Sequence, residues 1–261
     1  MTTRRASIHP SAIVHPHAEI GEECEIGPYC VIGGHVAVGP RCRLHSHVII
    51  DGHTRLGRGN ELFPFACIGL KTQDLKWKGG LTRTEIGDGN TFREYVTVHS
   101  ATGDGETTLV GSHNHILANC HIAHNVQIGD NVIMSNVATL AGHVVVEDHA
   151  VIGGLAAVHQ FCRIGKMAIV GGCSKVVQDV PPFMLADGNP AKTRTINKVG
   201  LERNHVSEET QAALKQAFRL LFREGLTISN ALTRLETDLK PLPEIRHLIG
   251  FIRGSERGLS K

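Results

Sequence analysis

A six-residue period of apolar side chains runs through most of this sequence. Steps of six from Ile8 to Val176 meet 29 positions, and 26 of them hold an apolar residue; the exceptions are Asp74, Gly80 and Asp104. An amphipathic helix repeats about every 3.6 residues and a strand every two, so neither explains this period. A hexapeptide repeat instead predicts a parallel β-helix, in which three hexapeptides complete one triangular coil.

A second column of the repeat holds small residues, four positions after the apolar one. Its members include Ala12, Ala18, Cys24, Cys30, Cys42, Cys120, Ala138, Ala150 and Cys162. Five of the seven cysteines therefore fall where a small buried side chain fits, and we expect those five to be core residues. No two cysteines have the C-x-x-C spacing of zinc sites, so the cysteines predict no metal centre.

The composition excludes several classes of function. With 27 Lys and Arg against 25 Asp and Glu, the net charge of +2 is too small to indicate a nucleic-acid-binding protein. The N-terminal segment MTTRRASIHPSAIV lacks the apolar run of a signal peptide. No window holds the roughly 18 consecutive apolar residues that a membrane span requires. We therefore expect a cytoplasmic protein that is not embedded in a membrane.

The period breaks twice and resumes in phase each time. Ile68 and Ile86 lie three steps apart, and Val98 and Val110 lie two steps apart. Two loops are therefore expected to project from the prism without shifting its register. We place these loops at residues 70–85 and 100–108.

The period ends near Pro181-Pro182, and helical spacing follows. Ser207 before two glutamates is typical of a helix N-cap, and Thr227 can cap a second helix. Three apolar faces are expected, formed by Leu214, Phe218, Leu221 and Phe222; by Ile228, Leu232 and Leu235; and by Ile245, Leu248, Ile249 and Ile252. The sequence thus predicts an all-β parallel β-helix over residues 1–190 and a small α-helical C-terminal domain over 191–261.

Stacking of the coils brings distant polar residues together. Residues 18 apart occupy the same column, and neighbouring strands lie about 4.8 Å apart. One column holds His124, Gly142 and Gln160, and the adjacent column holds Asn125, His143 and Phe161. His121 and His159 lie on neighbouring positions. Four imidazoles and a side-chain-free backbone N–H are therefore expected on one region of the prism.

This set of groups suits acyl transfer to a hydroxyl. A neutral histidine is the usual general base near pH 7, and an adjacent side-chain oxygen can fix its tautomer. The N–H of a glycine can stabilise an oxyanion. Any single histidine among the 17 is more often a solvated corner residue. A zinc site of the γ-class carbonic anhydrase kind requires an H-x4-H pair, and no two histidines here are five apart.

Longer motifs resemble a known enzyme family. CHIAHNVQIGDN, NVATLAGHVVVEDHAVIGGLAAVHQFCRIG, GGCSKVVQDVPPFMLADGNPA and IGLKTQDLKW together are similar to the UDP-N-acetylglucosamine (UDP-GlcNAc) acyltransferases. The resemblance covers essentially the whole chain. It implies a left-handed β-helix, a homotrimer with active sites between subunits, and no cofactor. The implied reaction transfers a 3-hydroxyacyl chain from acyl carrier protein to the 3-hydroxyl of UDP-GlcNAc, the first step of lipid A biosynthesis in Gram-negative bacteria.

The same resemblance implies roles for individual residues. His124 would be the general base, with Asn125 beside it, and Gly142 N–H would be the oxyanion donor. A glycine at position 172 would leave the acyl tunnel open for a longer chain. The other implied substrate-binding residues are His121 and His143 at the sugar and acyl end, His159 and Gln160 at the nucleotide, Gln73, Asp74 and Lys76 on the first loop, Asn197, and Arg203 at a phosphate.

Three departures from the family pattern bear on these roles. The best-known members have Asp where this chain has Asn125, and an amide oxygen stabilises an imidazolium less than a carboxylate does. Val199 and Asn204 stand where the family often has Glu and a second Arg, which affects the expected contacts to the pyrophosphate. The second loop is one residue shorter than in the commonest pattern.

Other functions remain as alternatives. The related N-acyltransferase of the same pathway carries an N-terminal uridine-binding domain, for which a repeat that starts at Ile8 leaves no room. Sugar acetyltransferases that use acetyl-CoA usually have shorter prisms, and an ice-binding β-helix would present a flat Thr-rich face. The sequence leaves open whether the acceptor carries a 3-hydroxyl or a 3-amine. An acidic acyl carrier protein would fit the basic end of the prism, formed by Lys166, Lys175, Lys192, Arg194, Lys198 and Arg203.

Overall fold

The computed structural model of this chain describes residues 5–261, so the first four residues of the expected β-helix lie outside the described part. Three parallel sheets form the faces of a left-handed β-helix, which confirms the predicted fold class. In the regular coils each face contributes one strand of two residues, as the hexapeptide repeat predicts. Strands beside the two loops are three or four residues long.

The strands succeed one another around the prism in the order first, second and third sheet. The first sheet contains Ser7–Ile8, Glu25–Ile26, Arg43–Leu44, Glu61–Leu62, Thr91–Phe92, His115–Ile116, Ile133–Met134, Val151–Ile152, Ile169–Val170, Met184–Gly188 and Ala191–Ile196. The second contains Ile13–Val14, Val31–Ile32, Ile49–Ile50, Cys67–Leu70, Thr97–His99, His121–Ile122, Thr139–Leu140, Ala157–Val158 and Lys175–Val176. The third contains Glu19–Ile20, Ala37–Val38, His53–Leu56, Arg83–Ile86, Thr107–Val110, Gln127–Ile128, Val145–Val146 and Arg163–Ile164.

The core of the prism is the apolar column of the repeat. In a strand such as His121–Ile122, the second side chain is buried and the first faces outward, because successive residues of a strand point to opposite sides. All five column cysteines are at most 1% exposed, as predicted. Each buried Ile or Val contributes roughly 1.5–3 kcal/mol through removal of its side chain from water.

The corners of the coil use a left-handed backbone conformation. Asn125, His143 and Phe161 have φ of 60°, 59° and 65°, and they follow one another at the same corner of successive coils. Backbone hydrogen bonds link these corners: His143 N–H donates to the carbonyl of His124, and Phe161 N–H donates to that of Gly142, each over 3.1 Å. The corner geometry therefore aligns the polar side chains that the sequence places there.

The two loops enter without loss of register. Leu44 pairs with Leu62, 18 positions on, whereas Leu62 pairs with Phe92, 30 positions on, and Phe92 pairs with Ile116, 24 positions on. The insertions are therefore 12 and 6 residues, both multiples of the repeat. Between the flanking strands the first loop spans 71–82 and the second spans 100–106.

The prism ends in an antiparallel hairpin that the repeat did not predict. Strands Met184–Gly188 and Ala191–Ile196 extend the first sheet, and the expected domain boundary at residue 190 falls in their turn. The division of the chain into two domains stays a prediction.

Four helices follow the hairpin: α1 (Lys198–Arg203), α2 (Glu208–Phe222), α3 (Ile228–Asp238) and α4 (Pro243–Arg253). The side chains of Ser207 and Thr227 accept the N–H groups of Thr210 and Asn230, so both predicted caps are confirmed. The apolar faces of α2, α3 and α4 form a second core that also includes Met184 and Phe183 of the hairpin region. The short helix α1 was not predicted. None of the helices in the described part of the chain is long and apolar enough to cross a membrane.

Candidate active site

His124 lies at the edge where the second sheet passes into the third. It lies two residues after the end of the strand His121–Ile122, and its side chain is 14% exposed. Its ring lies against Gly142 of the next coil: a Cβ at that position would lie 2.4 Å from both Cε1 and Nε2 of the imidazole. Real atoms do not approach so closely, so a side chain at position 142 would displace the ring of His124 from this place. The stacking of His124 on Gly142 that the 18-residue column predicted is therefore observed.

Asn125 holds the imidazole through its side-chain oxygen. The Oδ1 atom of Asn125 lies 3.0 Å from Nδ1 of His124 and also accepts the N–H of Thr102 over 3.0 Å. The amide nitrogen donates to Oε2 of Glu106 over 2.7 Å. These two contacts fix the orientation of the amide, because only its oxygen can accept and only its nitrogen can donate.

The tautomer of His124 follows from this orientation. An amide oxygen can only accept, so Nδ1 of His124 must carry the hydrogen that it donates to Asn125. In the neutral ring Nε2 is then unprotonated and available as a base. Nε2 lies against Gly142, and the backbone N–H of Gly142 has no acceptor among residues 5–261.

The first loop brings a carboxylate to the same nitrogen. Oδ2 of Asp74 lies 3.7 Å from Nε2 of His124, so one substrate hydroxyl approaching from the side could contact both atoms. Neighbouring loop residues hold Asp74: its N–H donates to Thr72 Oγ1 over 3.1 Å, and its Oδ1 accepts the N–H of Lys76 over 3.0 Å. Thr72 also bonds Thr102 on the second loop, with 2.9 Å between the two hydroxyl oxygens.

Three further imidazoles line this edge, and the pKa of each lies below its usual value. The ring of His143 stands edge-on to that of His124 at 5.2 Å and stacks on Phe161 at 4.7 Å. Burial and then the neighbouring His124 lower the pKa of His143 and of His121. His99 is 6% exposed, and burial followed by His121 and His124 lowers its pKa to about 4. These rings are therefore neutral at pH 7.

Comparison with known proteins indicates the family of the chain. A family model described as Udp N-acetylglucosamine O-acyltransferase, domain 2, matches residues 179–260, and a bacterial transferase hexapeptide model matches 4–34, 17–52 and 107–142. An acyl-[acyl-carrier-protein]--UDP-N-acetylglucosamine O-acyltransferase of Gloeothece citriformis is 44% identical over 202 residues, which cover 77% of this chain and 73% of that protein.

The chain belongs to the UDP-N-acetylglucosamine acyltransferase family. The family resemblance of the sequence is thereby confirmed, and the protein is an acyltransferase. The structure of the UDP-N-acetylglucosamine acyltransferase from Bacteroides fragilis matches with a TM-score of 0.96 and 38% identity, covering 98% of this chain and 100% of that one. The UDP-N-acetylglucosamine O-acyltransferase from Moraxella catarrhalis matches with a TM-score of 0.92 and 42% identity, covering 97% and 99%.

In this acyltransferase the other expected site residues divide between three edges of the prism. His143, His159 and Gln160 share the edge of His124, together with the loop residues Gln73, Asp74 and Lys76, and His121 lies on the adjoining strand of the second sheet. His159 and Gln160 are exposed, and a guanidinium nitrogen of Arg257 lies 3.1 Å from Nδ1 of His159. Gly172 lies on the edge between the first and second sheets, where an added Cβ would be 3.3 Å from the Gly154 carbonyl.

The third edge carries Asn197 and Arg203. Asn197 caps helix α1: its Oδ1 accepts Gly200 N–H over 3.0 Å, and its Nδ2 donates to the Met167 carbonyl over 2.8 Å. It is 6% exposed, so the structure gives this side chain a role in folding, and its expected contact with substrate stays a prediction. Arg203 is exposed in the last turn of α1.

The departures Val199 and Asn204 also fall on this helix. Val199 is 56% exposed, and Asn204 donates its side-chain N–H to the carbonyl of Gly200 over 2.8 Å. Arg203 and Lys198 are both exposed cations of helix α1, and Arg203 is the one that the family resemblance places at a phosphate.

The sequence did not single out two members of the His124 cluster, His99 and Glu106. The second insertion lengthens the step between stacked residues from 18 to 24 at this coil, so position 99 lies opposite Ala123, next to His124. With this longer step the sequence could have indicated His99. Glu106 lies at the end of the inserted second loop, where the repeat predicts no position for a side chain.

A cavity of about 610 Å³ lies elsewhere, between the third sheet and helix α4. Its polar lining includes Gln127, Glu147, Lys166 and His247, and Nε2 of His247 lies 2.7 Å from Oε2 of Glu147. Within the described residues, none of the expected site residues lines it, so the chemistry of the His124 edge is separate from this cavity.

Proposed function

We propose that this acyltransferase transfers a 3-hydroxyacyl chain from acyl carrier protein to the 3-hydroxyl of UDP-GlcNAc, the first step of lipid A biosynthesis. The observation that carries the proposal is the geometry around Nε2 of His124, which faces Asp74 and Gly142 while Asn125 occupies Nδ1. The names of the curated relative and of the solved structures support the acceptor, and that of the relative supports the donor.

The chemistry begins with a general base. Nε2 of His124 accepts the proton of the sugar hydroxyl as its oxygen attacks the carbonyl carbon of the acyl thioester. The carbonyl oxygen becomes an oxyanion, which the N–H of Gly142 stabilises. Collapse of this intermediate breaks the carbon–sulfur bond, and the departing thiolate takes the proton from His124. The products are the ester and the free thiol, and His124 is neutral again.

Charges around the ring favour this cycle. The imidazolium formed in the first step faces the carboxylate of Asp74, whose Oδ2 lies 3.7 Å from Nε2. Asp74 also lies where it can accept a hydrogen bond from the acceptor sugar, as the family resemblance implies. The exposed Lys76 beside it is suited to the thioester region of the donor.

A homotrimer would complete the site. The expected residues lie on three different edges of one prism, so Gly172 and Arg203 reach the edge of His124 only if neighbouring copies pack side by side. His159, Gln160 and Arg203 would then contact the nucleotide, with Gly172 beside the acyl chain. Sedimentation of the purified protein at micromolar concentration should give a mass three times the 28.2 kDa of one chain. In cells that produce the protein, we expect it in the cytoplasmic fraction.

The test is acyl transfer by purified protein with UDP-GlcNAc and a panel of 3-hydroxyacyl carrier proteins. The substitution His124→Ala should lower kcat at least a thousandfold, because it removes the general base from the group of catalytic residues. His115→Ala, an exposed histidine on the first sheet, is the matched control and should keep wild-type activity. Transfer only to the 3-amino analogue of the acceptor, or only from acetyl-CoA, would replace this proposal with the corresponding alternative.

A further inference from the structure

The carboxylate of Glu106 stands directly behind the amide that orients His124. Its Oε2 accepts the Nδ2–H of Asn125 over 2.7 Å and the backbone N–H of Gly103 over 2.8 Å. The hydrogen bond from Asn125 and then that from Gly103 lower the pKa of Glu106, so the group is a carboxylate at neutral pH. A continuous chain of contacts therefore runs from the imidazole through an amide to a negative charge.

We propose that Glu106 is a positioning residue that supplies, through Asn125, the charge that a carboxylate at position 125 would otherwise supply. This inference rests on the proposed role of His124 as general base. Donation from Nδ2 to a carboxylate polarises the amide and makes Oδ1 a stronger acceptor for the Nδ1–H of His124. The negative charge also favours the imidazolium that forms when His124 takes a proton.

A comparison within the second loop can separate this role of Glu106 from a purely structural one. Glu106 also closes the turn at Gly103, so its removal could act by loosening the second loop. Asp104 on the same loop provides a comparison, because its Oδ1 accepts the Leu81 N–H over 2.7 Å and ties the two loops together without touching Asn125. A change of charge at 104 therefore perturbs the loop but leaves the contacts of Asn125 in place.

The ionisable groups that surround His124 determine how a pH profile will respond. They are Asp74 and Glu106 from the loops, His99, His121 and His143 from the prism, and Lys76 beside His143. Loss of the Glu106 charge leaves all the others in place. Because the general base must be neutral, a less stable imidazolium shifts the acidic limb of the kcat profile to lower pH.

The first experiment compares Glu106→Gln with Asp104→Asn in the acyl transfer assay. Glutamine keeps an oxygen that can accept both N–H groups, so only the charge is lost. We expect kcat to fall about fivefold, the difference between a charged and a neutral hydrogen-bond acceptor, with KM for both substrates unchanged. The acidic limb should move to lower pH, and Asp104→Asn should keep the wild-type profile. A Glu106→Gln profile equal to wild type in kcat and acidic limb would overturn the proposal.

A second experiment places a carboxylate at position 125. In the wild-type background Asn125→Asp puts two carboxylates where a 2.7 Å hydrogen bond stood, so we expect kcat to fall more than tenfold. Combined with Glu106→Gln, the same change regains a hydrogen-bonded pair, and kcat should return to within about threefold of wild type, with the acidic limb at higher pH. Additive losses in the double variant would contradict the proposal.

The control for the underlying mechanism is His124→Ala. If His124→Ala retains activity, the proposed function fails irrespective of Glu106. If His124→Ala is inactive and the Glu106 and Asn125 variants do not interact, only the role of Glu106 fails.

Discussion

The ring of His124 rests on the backbone of Gly142, with 2.4 Å between the imidazole and the place where a Cβ would be. These two residues lie 18 positions apart in the sequence, and a side chain at position 142 would prevent their contact. The contact places Nε2 against a glycine whose N–H is the proposed oxyanion donor, and acyl transfer requires a base and such a donor together.

Replacement of this glycine by alanine should disable the enzyme without unfolding it. Gly142→Ala must displace the ring of His124, and a misplacement of about 1 Å can cost on the order of 100-fold in rate. We expect kcat to fall by that factor while the circular dichroism spectrum is retained. Gly154→Ala, at the same position of the repeat, meets its nearest atom at 3.3 Å and serves as the control for folding. Wild-type kcat in Gly142→Ala would show that the ring is free to move.

The stability of the protein should fall as the pH drops below about 6.5, in part because of His99. Burial holds its pKa at about 4 in the folded state, whereas the unfolded state takes up a proton near 6.5. Between these values the unfolded state binds more protons, so the free energy of unfolding decreases with falling pH, by up to about 3 kcal/mol for this group.

Urea unfolding at pH 8 and pH 5, at one protein concentration, measures this contribution. His99→Gln cannot take up the proton, so the difference in free energy of unfolding between the two pH values should be smaller than in wild type. An equal difference in both proteins would mean that His99 does not titrate on unfolding.

The length of the transferred chain should depend on position 172. Gly172→Met adds a side chain where the family resemblance implies the acyl tunnel, and the Gly154 carbonyl 3.3 Å away limits its room. Each methylene that no longer fits costs about 1–3 kcal/mol, so kcat/KM for the longest donors should fall at least tenfold relative to short ones. A panel of carrier proteins that differ only in acyl length measures the ratio. An unchanged preference would place the end of the tunnel elsewhere.

Arg203 should contribute binding and not chemistry. Its exposed guanidinium is suited to a diphosphate, and loss of such a contact costs on the order of tenfold in affinity. Arg203→Ala should therefore raise the KM for UDP-GlcNAc with little change in kcat, and less at high salt because exposed charges are screened. Arg219→Ala, on helix α2, is the matched control. A lower kcat at saturating UDP-GlcNAc would contradict a role limited to binding.

The features that follow the repeat could be predicted from the sequence. The hexapeptide period determines which side chains are buried, and the 18-residue column placed His124 on Gly142 and His143 on Phe161. The caps at Ser207 and Thr227 were likewise visible, because a short polar side chain before a run of helix formers is a local signal.

The features that escaped prediction lie where the period does not apply. The second loop is an insertion, so no column predicts that Glu106 reaches Asn125. The cap that the Asn197 amide provides for helix α1 was not predicted, and the expected contact of Asn197 with the substrate stays a prediction. The hairpin at Met184–Ile196 follows the end of the repeat and extends the first sheet only because its partner strand, Ile169–Val170, is already in place.

The most direct test of the account is the position of the proton on His124. Proteins labelled with ¹⁵N-histidine, as wild type and His124→Gln, identify the signals of this ring by difference. At pH 7.5 we predict a protonated Nδ1 and an unprotonated Nε2, because Oδ1 of Asn125 can only accept. A proton on Nε2 instead would remove the base from the site and contradict the proposed mechanism.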